Sequence, residues 1–555
     1  MCMSAVCLIP PILVLLCALK TRKVIFSLIV GLLSASFIAQ DYQVVEGLKF
    51  AVMSVSNTLD IPALLSGKLP PSDSYWTLFA FITALGITIV LLQKTGAAQA
   101  FSQLIERKVK KKKDIESMSL LLSCLFFIDD YFSSLSIGTL MHPITDRYRI
   151  TRAKLAFLID SMAAPLAILC PFSTWVGVVI GFLQSNGINE EVGKNTVIIA
   201  SPFWVFVQII PFVFYSFIIM AGSWLIVRKE ISFGSMRQFE EYTLKTGDSL
   251  GNPKNETVSE VKLTKTAGVR DFFVIWVTLI SSLFGSMLYY GKWASFGGER
   301  SFMQALQNTE ITMALLTAGF IAVSISSLYF LLRGVLHLKM MPQILNEGSQ
   351  LMRSAILILI LAWSMGSILR EDLQVGHYIA GNVLNHVSPA FLPFTVFLVG
   401  ALIAFATGSS WGTSALLFPM IIPTIVILSV GDQAPVPLEQ VPLFLPTIGA
   451  LLSGCVAGDH ISPISDTTIM TSLSTDMRHI DHVKTQLNYA LPCIACTGFA
   501  FALFGIFAEY PLWIQTLISI MSGIAAVITL LFTLNALGKK RELPPLEVCS
   551  VSTPR

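Results

Sequence analysis

The chain has 555 residues, of which 54% are hydrophobic and 13% charged, with a formal net charge of +3. Soluble domains carry about 25% charged residues, so this sequence is not that of a soluble protein, and its mean hydropathy of +0.72 places it in a bilayer. At about 20 residues per span it has room for roughly ten crossings plus several shorter segments. With no basic domain outside the apolar runs, nucleic acid is not an expected partner. The nine cysteines are scattered, mostly in apolar runs. Cys493 and Cys496 have CxxC spacing but no second pair and no neighbouring histidine, so they read as buried small hydrophobes.

The first apolar run, Ala5 to Leu19, lacks a basic stretch before it, and Lys20, Arg22 and Lys23 follow it. That order predicts an uncleaved first helix with its N-terminus outside. A second run covers Val24 to Ala39. Residues 41–74 are mixed and predict an amphipathic or partial span, and Tyr75 to Leu92 is a clear one. The run from Glu106 to Lys113 is the strongest charge cluster, and short basic loops stay cytoplasmic. Met118 to Ile128 is apolar and ends in Asp129-Asp130-Tyr131-Phe132-Ser133-Ser134. A second basic cluster, Asp146 to Lys154, follows. Both flanks then lie on one side, which predicts a re-entrant hairpin with its tip at Asp129–Ser134, allowed where protein or a water cavity covers the backbone. From Leu155 the chain crosses outward, with breaks expected at Ala163-Ala164-Pro165 and near Pro171. Asp160 lies about 12 Å along the helix from Arg152, near the midplane. Residues 184–196 are expected outside. Val197 to Val227 returns with Pro202 and Pro211 to kink it, and residues 228–270 read as a cytoplasmic linker without apolar periodicity.

The second half opens with spans Phe272–Tyr290 and Ile311–Leu332, then Ala355–Leu369. Phe391 to Ala406 leads into Thr407-Gly408-Ser409-Ser410-Trp411-Gly412-Thr413, and Ser414 to Val430 leads away. By parity this hairpin enters from outside. The next crossing holds Gly458-Asp459-His460-Ile461-Ser462-Pro463-Ile464-Ser465-Asp466-Thr467-Thr468. It returns to the cytoplasm near Arg478, His479, His482 and Lys484. Spans Tyr489–Phe507 and Leu512–Leu537 leave Lys539, Lys540 and Arg541 inside. One orientation satisfies every basic cluster, with the C-terminus cytoplasmic.

The pattern is hairpin then broken helix, twice, with opposite entry, as an inverted-topology repeat requires. The fold class is therefore an all-α polytopic membrane protein of two inverted halves. The segments are 1–113 (N-terminal helices), 114–227 (first repeat core), 228–270 (linker), 271–390 (second-half scaffold), 391–484 (second repeat core) and 485–555 (C-terminal helices and tail).

Acids, hydroxyls and prolines in an apolar segment are penalised unless partnered, and broken helices with such groups at the bend are where membrane proteins build ion sites. The candidates are Asp129, Asp130, Ser133 and Ser134 in the first hairpin, and Asp160 and Ser161 in the first broken helix. Thr407, Ser409, Ser410 and Thr413 are the candidates in the second hairpin, and Asp459, Ser462, Asp466 and Thr467 in the second broken helix. Several have a plainer reading. Asp129 and Asp130 point about 100° apart on a helix, so one suits a cavity and the other a cap; the plainer reading is that both cap the hairpin tip. Ser133 and Ser134 equally suit helix starts, and Asp466 suits an N-cap. His460 is a candidate proton relay or a structural histidine. Gly408 and Gly412 allow close backbone approach, and Trp411 reads as packing.

The stretches Phe127–Phe132 through Thr139, Ala153–Pro165, Ala406–Pro419 and Gly458–Thr468 resemble those of the NhaC-type sodium:proton antiporters of the ion-transporter superfamily. The resemblance spans most of the chain, least before residue 70 and in the linker. It implies a scaffold part and a transport part, with Asp129, Asp130, Asp160 and Asp459 as ion-site acids and Na⁺ held in the Asp129/Asp160/Asp459 region. It does not fix the substrate, since similar proteins exchange organic acids. The expected function is exchange of Na⁺ against H⁺ in the plasma membrane by alternating access. The alternatives are a coupled exchanger of small organic acids or amino acids, and a passive channel. No Walker A loop, nucleophile elbow or HExxH is present, so neither an enzyme nor a nucleotide-driven pump is expected. No cofactor is expected beside the transported ions. The expected partners are membrane lipid, a small ion or small-molecule substrate and, as for antiporters of this kind, a second copy.

Overall fold

A computed structural model of the chain describes residues 5–21, 24–62, 75–97, 100, 111–127, 129–171, 173–193, 196–249, 267–307, 309–378, 388–431, 433–463 and 465–540. The basic run at 106–110, the linker segment 250–266 and the tail from Arg541 lie outside them. The fold is helical. In chain order the helices are α1 (Ile9–Thr21), α2 (Val24–Ala39), α3 (Val44–Thr58), α4 (Tyr75–Lys94), α5 (Lys112–Leu125), α6 (Asp130–Arg147), α7 (Arg152–Leu169), α8 (Thr174–Ser185), α9 (Pro202–Ile209), α10 (Phe214–Lys229) and α11 (Gly234–Thr246). There follow α12 (Val269–Tyr290), α13 (Phe302–Gln307), α14 (Ile311–Leu332), α15 (Met341–Glu371), α16 (Val375–Tyr378), α17 (Leu392–Thr407), α18 (Ser410–Val430), α19 (Phe444–Asp459), α20 (Asp466–Ser474), α21 (His479–Ile506) and α22 (Leu512–Lys540). Among the described residues 6 helices are long and apolar enough to cross a membrane, or up to 9 spans if each bent pair counts as one. This is a multi-pass membrane protein.

The two halves repeat one design. In the first, α5 and α6 pack together as a hairpin around the turn Phe126–Asp129, and α7 and α8 form a helix bent by 51° between Leu169 and Thr174. In the second, α17 and α18 form the hairpin around Gly408–Ser409, and α19 and α20 are interrupted at His460–Ser465. The halves run in opposite senses. On one face the loop after α8 and the loop after α18 are joined by three short parallel strands, β1 (Ile188–Asn189), β2 (Ile198–Ile199) and β3 (Val436–Pro437). On the other face, the start of α7 meets the chain after α20. There Arg152 pairs with Asp476 at 2.5 Å and with Asp146 at 2.8 Å. The first broken helix therefore begins where the second ends, as an inverted repeat demands.

The prolines correct the sequence reading at one point. Pro165 lies inside α7, which continues to Leu169, so the first break falls only at Cys170–Ser173, beside Pro171. Membrane helices tolerate proline where neighbours re-satisfy the freed carbonyl, and α18 likewise carries Pro419 and Pro423. Part of the linker is helical. Residues 234–246 form α11, with Met236, Phe239 and Thr243 buried along one face.

The repeat cores close on small residues. A Cβ on Gly454 would lie 2.4 Å from the Phe397 carbonyl oxygen, and one on Gly458 would lie 2.1 Å from that of Ala401. Only glycine lets α17 and α19 cross so closely, the usual means of helix association in lipid.

Candidate functional site

The breaks of both halves face one another in the interior. At the first hairpin, Asp129 and Asp130 are 0% and 1% exposed. Thr174 Oγ1 donates to Asp129 Oδ2 at 3.0 Å, and the Trp175 indole N–H donates to Asp130 Oδ2 at 3.1 Å. The donors are the first two residues of α8, so both acids meet the positive end of that half-helix. Ser133 and Ser134, in the first turn of α6, are buried, and their hydroxyls make no hydrogen bond.

At the second hairpin, α17 ends in Gly408 with φ +64°, and Ser409 caps α18 by accepting from the Gly412 N–H at 3.0 Å. Thr407 and Thr413 pair across the turn at 3.1 Å. The Ser410 hydroxyl leaves the turn and donates to Asp459 Oδ2 at 3.0 Å; Thr467 Oγ1 donates to the same oxygen at 3.2 Å. Asp459 is the last residue of α19. A carboxylate there adds to the negative end of the helix dipole instead of offsetting it, which favours a cation. Ser465 caps α20 by accepting from the Thr468 N–H at 3.3 Å. The cap expected of Asp466 thus belongs to Ser465; the Asp466 side chain lies outside the described atoms.

Asp160, within α7, is fully buried. Its Oδ2 accepts from Gln486 Nε2 at 2.6 Å and Thr468 Oγ1 at 3.0 Å, and lies 3.3 Å from His482 Nε2. Its Oδ1 has no hydrogen-bond partner. Gln486 Nε2 also donates to the His460 carbonyl at 2.8 Å, closing the break after α19, and His460 Nδ1 lies 3.0 Å from the Tyr215 hydroxyl. The adjacent Thr467 and Thr468 therefore bridge two acids, one from each half. The aromatic rings seal the junction. Trp411 packs edge-on against Trp175 at 5.8 Å and Tyr131 at 6.5 Å, the packing role its sequence context suggested.

Two candidates point elsewhere. Ser161 donates to the Leu158 carbonyl and accepts from Ser223, and Ser462 donates to the Phe405 carbonyl at 2.8 Å. Sequence reasoning missed Thr174, Trp175, Gln486 and Tyr215 as acid partners or neighbours. It also placed His482 in a cytoplasmic basic cluster, whereas that ring is buried against Asp160. Among the described residues no three His, Cys, Asp or Glu side chains gather as a metal centre. Each acid instead works with hydroxyls, indole or amide, and carboxylate and hydroxyl oxygens suit a hard cation.

Inverted halves, interrupted helices and buried acids at the interruptions define a secondary active transporter. The chain belongs to the Na⁺/H⁺ antiporter family, whose model matches residues 166–506. It is 30% identical over 505 residues to an uncharacterized protein of Haemophilus influenzae, covering 90% of each chain. Shorter matches join it to two proteins of Bacillus subtilis. One is a malate-2H⁺/Na⁺-lactate antiporter, 28% identical over 27% of this chain and 30% of that protein; the other is the Na⁺/H⁺ antiporter NhaC, 26% identical over 22% and 24%.

Proposed function

We propose that the chain exchanges Na⁺ against H⁺ by alternating access, with Asp459 and Asp160 as seats that take either a cation or a proton. The observation that carries this reading is the pair Thr467–Thr468, which ties an acid of each half to one half-helix. A proton on a carboxylate removes the charge that holds a cation, and a bound cation favours the ionised form. The two ions therefore compete for one site, and competition is what couples them. The acids Asp129 and Asp130 line the same junction from the first hairpin. The ion gradient drives the cycle. We place the chain in the plasma membrane with its N-terminus outside and its C-terminus and α11 inside, a reading supported by the positions of the basic clusters.

The test uses inverted membrane vesicles holding a preset acid-inside gradient. Na⁺ should collapse the gradient with the wild-type chain. Asp459→Asn and Asp160→Asn keep the shape but remove charge and protonation, and each should lose the response at normal expression. Full Na⁺-driven proton movement in both variants would exclude this site.

A second reading is coupled exchange of a small organic acid. Trp411 favours it, because its buried indole N–H has no hydrogen-bond partner beside Ser410 and suits a carboxylate. The Bacillus subtilis malate/lactate relative lends it further support. Under this reading Na⁺ alone leaves the gradient intact, and added malate or lactate collapses it.

A further inference from the structure

Away from the acids at the breaks, one buried group of charges is unbalanced. Lys154 lies on α7, two turns before Asp160, and is 2% exposed. Its ammonium meets Glu240 Oε1 at 3.1 Å and stands 5.7 Å from the centre of the Tyr489 ring. The other Glu240 oxygen accepts from the Ser232 hydroxyl. Glu240 belongs to α11, the helix in the linker between the halves. Asn488 Nδ2 donates to Ser235 Oγ at 2.5 Å, Ser235 donates to the Lys484 carbonyl at 3.0 Å, and the Tyr489 hydroxyl donates to the Ile231 carbonyl at 3.0 Å. Arg237 donates to the Gly538 carbonyl on α22. The α11 segment thus straps α7 to α21, the two helices whose side chains meet at Asp160.

A second carboxylate stands near Lys154 without pairing with it. Glu116, on α5 of the first hairpin, is 3% exposed, and its Oε1 has no hydrogen-bond partner. The Lys154 ammonium is within electrostatic reach of both Glu240 and Glu116. The other titratable groups facing Glu116 and Lys154 are Lys112 at the start of α5, Glu230 at the end of α10, and the Tyr489 phenol on α21. Lys112 is half-buried at the solvent edge, where water screens it. One buried ammonium beside a buried and a nearly buried carboxylate leaves a negative charge uncompensated, which a low-dielectric interior penalises heavily. A proton on one acid removes the penalty.

We propose that Lys154 is shared between Glu116 and Glu240, and that a proton on Glu116 commits it to Glu240, making α11 a pH-sensitive strap on the transport core. When Glu116 is protonated, Lys154 has one ionised partner and α11 stays fastened. When Glu116 ionises at higher pH, Lys154 gains a partner on α5, the hold on Glu240 weakens, and α7 is freed to move against α21. Only the effect on transport rests on the exchange reading; the strap is tested without it.

The measurement is maleimide labelling of Ser235→Cys in the full-length protein in open membranes over a series of pH values, with the parent protein as the blank for native cysteines. Thiol reactivity itself rises with pH, so each rate is divided by that of the same protein carrying Glu116→Gln at the same pH. The ratio should be near one in acid and rise several-fold in alkali. In the Glu240→Gln background labelling should be fast at every pH, relative to Glu116→Gln. A ratio of one throughout overturns the proposal, as does slow labelling with Glu240→Gln. In vesicles, Glu116→Gln should lower the maximal rate of Na⁺-dependent gradient collapse in alkali and leave the half-saturating Na⁺ unchanged. If labelling behaves as stated and the wild-type chain shows no Na⁺ response, the strap stands and the exchange reading falls.

Discussion

Hydroxyls that look alike in the sequence do different work. Ser409 and Ser410 are neighbours, yet Ser409 caps a helix and Ser410 binds Asp459. Ser410→Ala or Thr467→Val removes a hydrogen bond to a charged acceptor, worth about 1.5–3 kcal/mol. Apparent Na⁺ affinity should then fall roughly tenfold or more, read from gradient collapse against Na⁺ concentration. Ser409→Ala should cost about 1 kcal/mol of stability as a lost cap, seen as a lower melting temperature, with Na⁺ affinity unchanged. Equal affinity losses at residues 409 and 410 would contradict this division. Gln486 shows what the sequence hides. It stands one turn beyond His482 near the start of α21, in a stretch that reads as a basic loop entering a span. Only the folded chain brings it to Asp160 across more than half of the sequence.

At the scale of elements, the glycine crossing of α17 and α19 fixes where Asp459 ends up. Gly458→Ala places a methyl group against the Ala401 carbonyl, and overpacking of this kind costs about 1–3 kcal/mol. The detergent-solubilised protein should melt at a lower temperature, and a wild-type melt would disprove so close a crossing. The interruptions themselves were legible. An acid followed by a histidine, a serine and a proline within an apolar segment marks Asp459–Pro463, and paired acids at the end of an apolar run mark Asp129–Asp130. Pro165 carried the same signal without causing a break, because a proline costs one backbone bond and says nothing of whether the surroundings replace it. The α11 helix was missed for a different reason. Its buried face is only Met236, Phe239 and Thr243, too few apolar positions to stand out in a polar stretch.

At the scale of the molecule, the inverted arrangement sets sidedness. Val192 is 68% exposed in the loop after α8, and Leu244 is 49% exposed on α11. A membrane-impermeant thiol reagent added outside intact cells should label Val192→Cys and spare Leu244→Cys. The reverse pattern would turn the chain over. The two faces also differ in how they are fastened. One is stitched through backbone, with the Val436 N–H donating to the Val197 carbonyl at 3.1 Å. The other is held by Arg152 between Asp146 and Asp476, both partly exposed to solvent. Backbone pairing is indifferent to salt, whereas partly exposed charge pairs weaken as ions screen them. Ionic strength should therefore act from one side only. Raising KCl on the Arg152 face of sealed vesicles should change the exchange rate, and the same salt on the strand face should leave it alone. Where the solutions on the two sides of the membrane differ in salt, the transporter would sense one of them.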